Sequence, residues 1–340
     1  MDISDKIKTY CTTELNNLYY SYYKIRPKDI QILPKSGSDR IYFRLFTLNE
    51  SLIGTYSPDI DETNAFIYLT RHFNNKNLPV PRILNFNNND VYLQSDVGNK
   101  SLFDYIVKKD DETKLHSFYK LALNSLFLVQ FFGRDGIDYN NCFPRKKFDE
   151  ISIKWDLNYF KYFFLKLERI KFHENRLQID FDKLSNFAMQ AETNFFLYRD
   201  FQSRNIMINN EDQISFIDYQ GGREGALQYD IASFLYNSKS GLTENKRNEL
   251  LEYYCSILND HNINVERFKE FLPVYVLIRL LQTFGAYGYR GIFEQKSLFI
   301  NSIPFAVSNL KQLKNSFIFL QQLPELNNVI EQIIEKYNND

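Results

Sequence analysis

The sequence predicts an α+β chain of two lobes, a small antiparallel sheet ahead of a larger helical body. Three observations predict it. Short β-branched and aromatic runs bounded by turn residues lie between Ile30 and Gly98. From Ser101 onward apolar residues recur three and four positions apart, the period of a helix. One hairpin interrupts the helical part: Ile206-Met207-Ile208 and Ile214-Ser215-Phe216-Ile217 flank the polar Asn210-Glu211-Asp212-Gln213.

Taken in order, Ile7, Leu15, Leu18, Tyr19 and Tyr22 predict a leading helix over residues 4–23. Ile30 to Leu33 reads as a strand, Pro34-Lys35-Ser36-Gly37-Ser38-Asp39-Arg40 as a polar turn, and Ile41 to Phe46 and Ser51 to Tyr56 as two further strands. A helix starting near Pro58-Asp59-Ile60-Asp61 places Glu62, Phe66 and Leu69 on one face. The prolines of Leu78-Pro79-Val80-Pro81-Arg82-Ile83-Leu84 forbid helix and lead into a strand. Val91 to Gly98 is the next strand and its exit, and Gly98 is the expected boundary between lobes 1–97 and 98–340.

Leu102, Phe103 and Ile106, then Leu115 through Phe132, give helical faces that end at Asn140-Asn141-Cys142-Phe143-Pro144-Arg145. Ile153 to Phe160 begins another helix and holds the only tryptophan, Trp155. Gly221-Gly222-Arg223-Glu224-Gly225 reads as a flexible polar loop, and Tyr229-Asp230 opens a helix in which Asp230 suits a capping role. Further helices are expected at 244–259, 264–284 and 302–316, with a last one after Pro324.

The hairpin carries the chemistry. Its expected register sets Asn205 opposite Asp218, where facing Cα atoms lie about 4.5–5.5 Å apart, and Asp200 stands five residues earlier in a loop that must curl back. An amide oxygen and a carboxylate at that spacing suit magnesium, which takes one or two carboxylates plus substrate phosphates. A second carboxylate held off the metal can orient a hydroxyl and accept its proton. One Asp for the nucleophile with an Asn and a later Asp for magnesium is the arrangement that phosphoryl transfer uses. The plain alternative is that Asp200 and Asn205 cap a turn and Asp218 ends a strand.

Tyr198-Arg199-Asp200 through Asn205, Ile217-Asp218-Tyr219-Gln220 and Leu227-Gln228-Tyr229-Asp230-Ile231-Ala232 resemble the Brenner motif region of the aminoglycoside phosphotransferase and choline kinase superfamily. The likeness extends over most of the chain, is sharp between about residues 195 and 236, and is nearest to the bacterial N-acetylmuramate/N-acetylglucosamine anomeric kinases. Tyr198 stands where relatives usually have an architectural His. The resemblance implies a two-lobed protein-kinase-like fold, with Asp200 as catalytic base, Asn205 and Asp218 on magnesium, and ATP as phosphoryl donor.

It implies further roles. Ser36, Gly37 and Ser38, in a turn resembling the S-x-R-x-Y-F-R start of the sugar 1-kinases and placed ahead of the catalytic loop, become a nucleotide loop; Gln94 to Asp96 become the hinge that meets adenine through the main chain. The insertion before the catalytic loop walls the acceptor pocket. There Trp155 either packs on a sugar or sits in the core, and Asp156 or Asn158 either binds hydroxyls or serves the helix. Gln220 and Arg223 face the substrate. The third strand lacks the lysine that a kinase uses on its α- and β-phosphates, although Glu62 sits where that lysine's partner belongs. Arg44 or Lys35 supplies the charge, or metal and backbone suffice, or the chain is a pseudokinase.

Composition narrows the classes. With 41 basic and 42 acidic residues, no positive excess recommends a nucleic acid. Three distant cysteines argue against a disulfide framework, and four scattered histidines against zinc. The start Met1-Asp2-Ile3-Ser4 is no secretory signal, and the apolar run around Phe271 to Leu281 is broken by Arg279, short of the roughly 20 residues of a membrane span. The expectation is a cytoplasmic, ATP- and magnesium-dependent small-molecule kinase. It has no membrane and no obligate protein partner, and its acceptor is the anomeric hydroxyl of an N-acetylated amino sugar. An aminoglycoside, choline or ethanolamine kinase is the alternative.

Overall fold

In the computed structural model, which describes residues 5–34, 39–48, 50–87 and 90–338, the first part of the chain forms α1 (Asp5–Tyr23), β1 (Asp29–Ile32), β2 (Ile41–Phe46), β3 (Ser51–Tyr56), α2 (Ile60–Asn74), β4 (Ile83–Phe86) and β5 (Val91–Ser95). The strands make one antiparallel sheet in the order β1-β2-β3-β5-β4. Alternation sorts its side chains. Phe43, Leu45, Leu52, Val91 and Leu93 point to one face, where Cys11, Leu15, Leu18 and Tyr19 of α1 cover them. Each apolar side chain buried there contributes about 1.5–3 kcal/mol, so the leading helix closes a face that would otherwise be wet. The fit is tight at Gly54, where a Cβ would lie 2.4 Å from a Leu15 methyl.

The alternate positions, Tyr42 and Arg44 of β2, Ile53 and Thr55 of β3, and Tyr92 and Gln94 of β5, face the other way. Tyr92 belongs to the main core with Phe66 of α2, and that face looks across a cleft to the rest of the chain.

The helical part comprises the short β6 (Lys100–Ser101), α3 (Leu102–Lys108), α4 (Glu112–Phe131), α5 (Glu150–Phe160), α6 (Glu174–Ala188), β7 (Phe195–Leu197), β8 (Ile206–Ile208), β9 (Ile214–Phe216), β10 (Arg223–Gly225), α7 (Leu227–Leu235), α8 (Glu244–Asp260), α9 (Val265–Ala286), α10 (Ser297–Ile300), α11 (Ile303–Ser316) and α12 (Pro324–Asn338). Helix α9 is central and packs against α5, α7 and α11. It runs into a π-helical turn, Tyr287–Phe293, laid against a second one, Lys161–Leu165. Their backbones meet at Gly288, where a Cβ would stand 1.7 Å from the Phe163 carbonyl oxygen.

The structure departs from what the sequence predicts in several places. Residues 223–225, expected as flexible loop, pair with β7, Arg223 against Leu197 and Gly225 against Phe195. That pairing is tertiary and leaves no period in three residues. Helix α6 was not foreseen at all. Helix α5 starts at Glu150 rather than Ile153, because the Asp149 carboxylate accepts the Ser152 N–H at 3.0 Å and caps it. Finally, Val265–Phe293 is long and apolar enough for a membrane span by length and composition, yet 72% of its most apolar window is buried in the protein. Burial, rather than the break at Arg279, identifies it as a core helix.

Candidate active site

The hairpin of β8 and β9 pairs Ile206 with Phe216, so Asn205 lies opposite Ile217, whose N–H it accepts at 3.0 Å. The expected facing of Asn205 and Asp218 is off by one. Regular pleating would then send Asp218 to the wrong face. It does not, because Asp218 takes φ 69°, the left-handed region that β-strands exclude. That turn brings its Oδ2 to 3.4 Å from Asn205 Nδ2, while the same amide donates to the Asp200 main-chain oxygen at 2.9 Å. Strain of this kind costs about 1–3 kcal/mol and persists where the surroundings over-determine it. Here Tyr219 is the anchor. It is fully buried, stacks on Phe66 at 5.0 Å and shares a 2.6 Å hydrogen bond with Thr70 of α2.

The Asp200 loop is held from beneath. Asp230 accepts the main-chain N–H of Tyr198 at 2.8 Å and of Arg199 at 3.0 Å, and Gln130 Nε2 donates to it at 2.8 Å while Tyr254 donates to Gln130. Asp230 thus caps the catalytic loop, where the sequence suggested its own helix. Burial pushes its carboxyl up to about 7 despite those three donors. Tyr198, in the place of the usual His, is buried and donates its hydroxyl to the Ile217 carbonyl, which ties the loop to the hairpin. Arg199 carries φ 84° and grips Asp156 with both terminal nitrogens, at 2.8 and 2.6 Å. Asp200 itself is half-buried. Desolvation and the Asp218 carboxylate push it above the usual carboxylate range, against the pull of Arg199, Arg279 and Arg223.

Across the cleft stands the cation that the third strand lacks. Arg40, 6% exposed and just ahead of β2, lies 2.5 Å from Glu62 of α2 and 3.0 Å from Asp218. Burial works against its charge, but Tyr42, Tyr92 and Asp218 outweigh it and the pKa is raised. The sequence reading offered Lys35 or Arg44 for this place. Lys35, Ser36, Gly37 and Ser38 lie outside the described residues. Arg44 is spent elsewhere: its Nε meets Asp96 at 2.7 Å, and Asp96 also accepts from Ser51 at 2.7 Å and from the Gly98 N–H at 3.0 Å. Arg44 and Asp96 therefore brace the exit of β5 rather than offering free charge to a nucleotide. Gln94, 6% exposed on the cleft face, keeps a buried Oε1 without a donor among the described residues.

The acceptor-side residues separate. Gln220 donates to Asp218 at 2.8 Å and holds its own Oε1 buried and unpartnered. Arg223 is buried next to Arg199 and Tyr229. Asp156 is in the site, but both its oxygens serve Arg199, so its role is to orient that arginine. Asn158 is set apart. Two residues along a helix is a turn of about 200°, and Lys154, one turn before Asn158, bonds Asp182 of α6 at 2.8 Å, so that face looks away from Asp200. Trp155 is not a core residue: it is 52% exposed beneath the Arg145 guanidinium at 5.1 Å. Arg40, Arg199 and Gln130 are not singled out as site residues by the sequence, whereas Arg279 stands on the 264–284 helix whose following segment is expected either to pack or to close the acceptor site. Arg40 lies in the S-x-R-x-Y-F-R stretch and Arg199 beside Asp200, which were signals; Gln130, a polar residue inside an apolar helix, gave none.

Among the described residues no three His, Cys, Asp or Glu side chains form a metal cage. Asn205 and Asp218 offer an amide oxygen and a carboxylate. Such a set suits a hard cation that fills its remaining positions with water and phosphate oxygens, as magnesium does. The residues fit the metal.

Comparison with known proteins follows the same line. The model of the ecdysteroid kinase-like family matches residues 144–266, the stretch holding Asp200, Asn205, Asp218 and Asp230. No curated protein sequence matches the chain. Among solved structures, ethanolamine kinase from Plasmodium vivax is similar with a TM-score of 0.61 at 15% identity, covering 92% of this chain and 95% of its own. Choline kinase from Cryptosporidium parvum aligns with a TM-score of 0.61 at 13% identity over 96% and 99%. A thermostable mutant of aminoglycoside phosphotransferase APH(4)-Ia, in a ternary complex with AMP-PNP and hygromycin B, aligns with 0.57 at 14% over 87% and 98%. The chain has this kinase-like fold, with an N-terminal antiparallel sheet and a helical C-terminal region.

Proposed function

We propose that the protein is an ATP- and magnesium-dependent phosphotransferase acting on a hydroxyl of a small molecule, with the nucleotide between lobes divided near Gly98. One observation carries the reading. Asp200, Asn205 and Asp218, all within eighteen positions of one another, come together at a place that Arg40 and Glu62 approach from the sheet. Arg199 and Asp218, on either side of that point, are both held in left-handed backbone, which sets where their side chains leave the loop.

Asp200 orients the acceptor hydroxyl and takes its proton as the oxygen bonds to the γ-phosphorus and the bond from that phosphorus to the β-phosphate bridging oxygen breaks. Arg40, freed from Asp218, is placed to pair with nucleotide phosphates while Glu62 holds its other edge. Asn205 and Asp218 would hold magnesium, which when bound neutralises phosphate charge. The transition state is loose, so positioning and charge supply most of the acceleration. The finer reading, the anomeric hydroxyl of an N-acetylated amino sugar, rests on the motif resemblance. Structural likeness to choline, ethanolamine and aminoglycoside kinases supports the general class and keeps those acceptors as the second reading.

Calorimetric titration of ATP with magnesium, followed by coupled ADP release over hexosamines, amino alcohols and aminoglycosides, tests it. Magnesium-dependent ATP binding with turnover on one acceptor class is the expected outcome. Binding without turnover on any of them would favour a nucleotide-binding pseudokinase, and no ATP binding would end the reading.

A further inference from the structure

The acceptor side of the proposed catalytic loop holds three arginines, of which one is paired with a carboxylate among the described residues. Arg199 is neutralised by Asp156, at 2.6 Å. Arg223 is not neutralised. It is 5% exposed, and its only hydrogen bond among the described residues runs from Nε to the Gly221 carbonyl at 2.9 Å. Among the described residues its two terminal nitrogens have no hydrogen-bond partner, and no carboxylate lies within ion-pair distance. A Cβ on Gly221 would lie 3.7 Å from Arg199 Cγ and 3.9 Å from Arg223 Nη2, so Arg223 sits against the side chain next to the proposed base, and Asp156 and Asp200 are among the charges that act on it. Arg279 adds a third cation with neutral partners only: Ser233 at 3.1 Å, Thr283 at 2.7 Å, and Gln282. Asp200 lies in the field of Arg199, Arg223 and Arg279 together.

The Arg223 guanidinium is largely withdrawn from water without an ion-pair partner, yet its terminal nitrogens are not among the sealed, partnerless atoms and keep an opening to solvent. A planar fork of N–H donors held in such a place matches a carboxylate or phosphate bidentately. We propose that the acceptor carries an anionic group, a carboxylate or a phosphate, which Arg223 binds while Asp200 receives the proton of the acceptor hydroxyl. This rests on the phosphotransferase reading and narrows its substrate class. Choline and aminoglycosides, which are cationic, are disfavoured by the same three arginines. The buried, donorless Oε1 of Gln220, on the same loop, is an acceptor for a second hydroxyl of the ligand.

The test has two arms. In the first, inorganic phosphate is titrated calorimetrically into enzyme saturated with magnesium and a non-hydrolysable ATP analogue, so that the nucleotide's own phosphate positions are filled. Saturable binding at about 1–10 mM, lost in Arg223→Met and weakened in Arg223→Lys, is expected; no saturable binding overturns the inference. In the second, ADP release is compared across N-acetylglucosamine, its carboxylate-bearing relative N-acetylmuramate and its 6-phosphate, and across glycerol against glycerate, with choline and kanamycin as cations.

A kcat/KM at least about tenfold higher for an anionic member than for its neutral parent, one charge-assisted contact's worth, collapsing in Arg223→Met, supports the proposal and tells carboxylate from phosphate. Preference for a neutral or cationic acceptor overturns it and leaves phosphotransfer standing. If no acceptor turns over, the phosphate titration decides. Melting temperature separates the structural explanation: Arg223→Met without ligand should melt at or above wild type, and a clear fall would mean that the guanidinium is structural and the inference wrong.

Discussion

Arg40, just ahead of the second strand, holds Glu62 of α2 at 2.5 Å. The third strand has no lysine to do so, and the cation instead enters the cleft from one strand earlier, where it also reaches Asp218 at 3.0 Å. Replacing it with Met should leave Glu62 and Asp218 facing each other without a counter-charge. The expected loss is about 1.5–3 kcal/mol of ATP binding or of kcat/KM, the worth of a charged hydrogen bond. Arg40→Lys should recover part of it. Titration of ATP with magnesium into both variants measures this, and wild-type affinity in Arg40→Met would show that the pair is incidental.

Asp200 and Asp218 should fail differently. Asp200→Ala removes the proposed base and should lower turnover about 10²–10⁴-fold while ATP affinity stays near wild type. Asp218→Ala removes a proposed magnesium ligand and should weaken binding of the magnesium nucleotide itself. Single-turnover kinetics beside calorimetry separates the two, and equal defects in binding would remove the distinction.

Asp230 gives a pH prediction. Its folded carboxyl is pushed up to about 7 from 3.8 by burial, so the folded protein keeps a proton that the unfolded chain has already lost. The stability that this proton contributes is full below about pH 4 and disappears as pH rises through 7, with a ceiling of about 1.4 kcal/mol per pH unit. Denaturant unfolding from pH 4.5 to 8 should show wild type losing stability relative to Asp230→Asn. Parallel curves would place the proton elsewhere.

Arg199 and Asp156 form a largely buried, bidentate pair. Asp156→Ala leaves Arg199 and Arg223 both unpaired side by side, and should cost about 3–5 kcal/mol by urea unfolding. Arg199→Met with Asp156→Leu should recover much of that loss, since no buried charge then remains.

Gly288 allows two π-helical turns to touch, and a Cβ there would stand 1.7 Å from the Phe163 carbonyl. Gly288→Ala must push the backbones apart, at a cost of more than about 3 kcal/mol, lowering the melting temperature without altering any proposed catalytic group. An unchanged melting temperature would contradict the close approach.

The proposed chemistry can be read from the sequence because its parts are contiguous. Asp200, Asn205 and Asp218 fall on one loop and one hairpin, where local periodicity and turn residues set the path of the chain. Even so, counting residues misplaced the register by one, and only the left-handed φ of Asp218 explains why the carboxylate still arrives. The sheet lobe was legible strand by strand for the same local reason. Helix α6, the strand at Arg223 and the exposure of Trp155 were not, since each depends on what packs against it.

By itself the sequence determined a sheet lobe, a helical lobe and a hairpin bearing two acids and an amide. Only the tertiary structure decided which charges are free. Arg40 meets Asp218 across 178 positions of chain, Arg44 is taken by Asp96, Arg199 by Asp156, and Arg223 is left alone. Residue patterns do not record these pairings, because the energy of two charges depends on their separation and on the medium between them, and both are set only when the chain has folded.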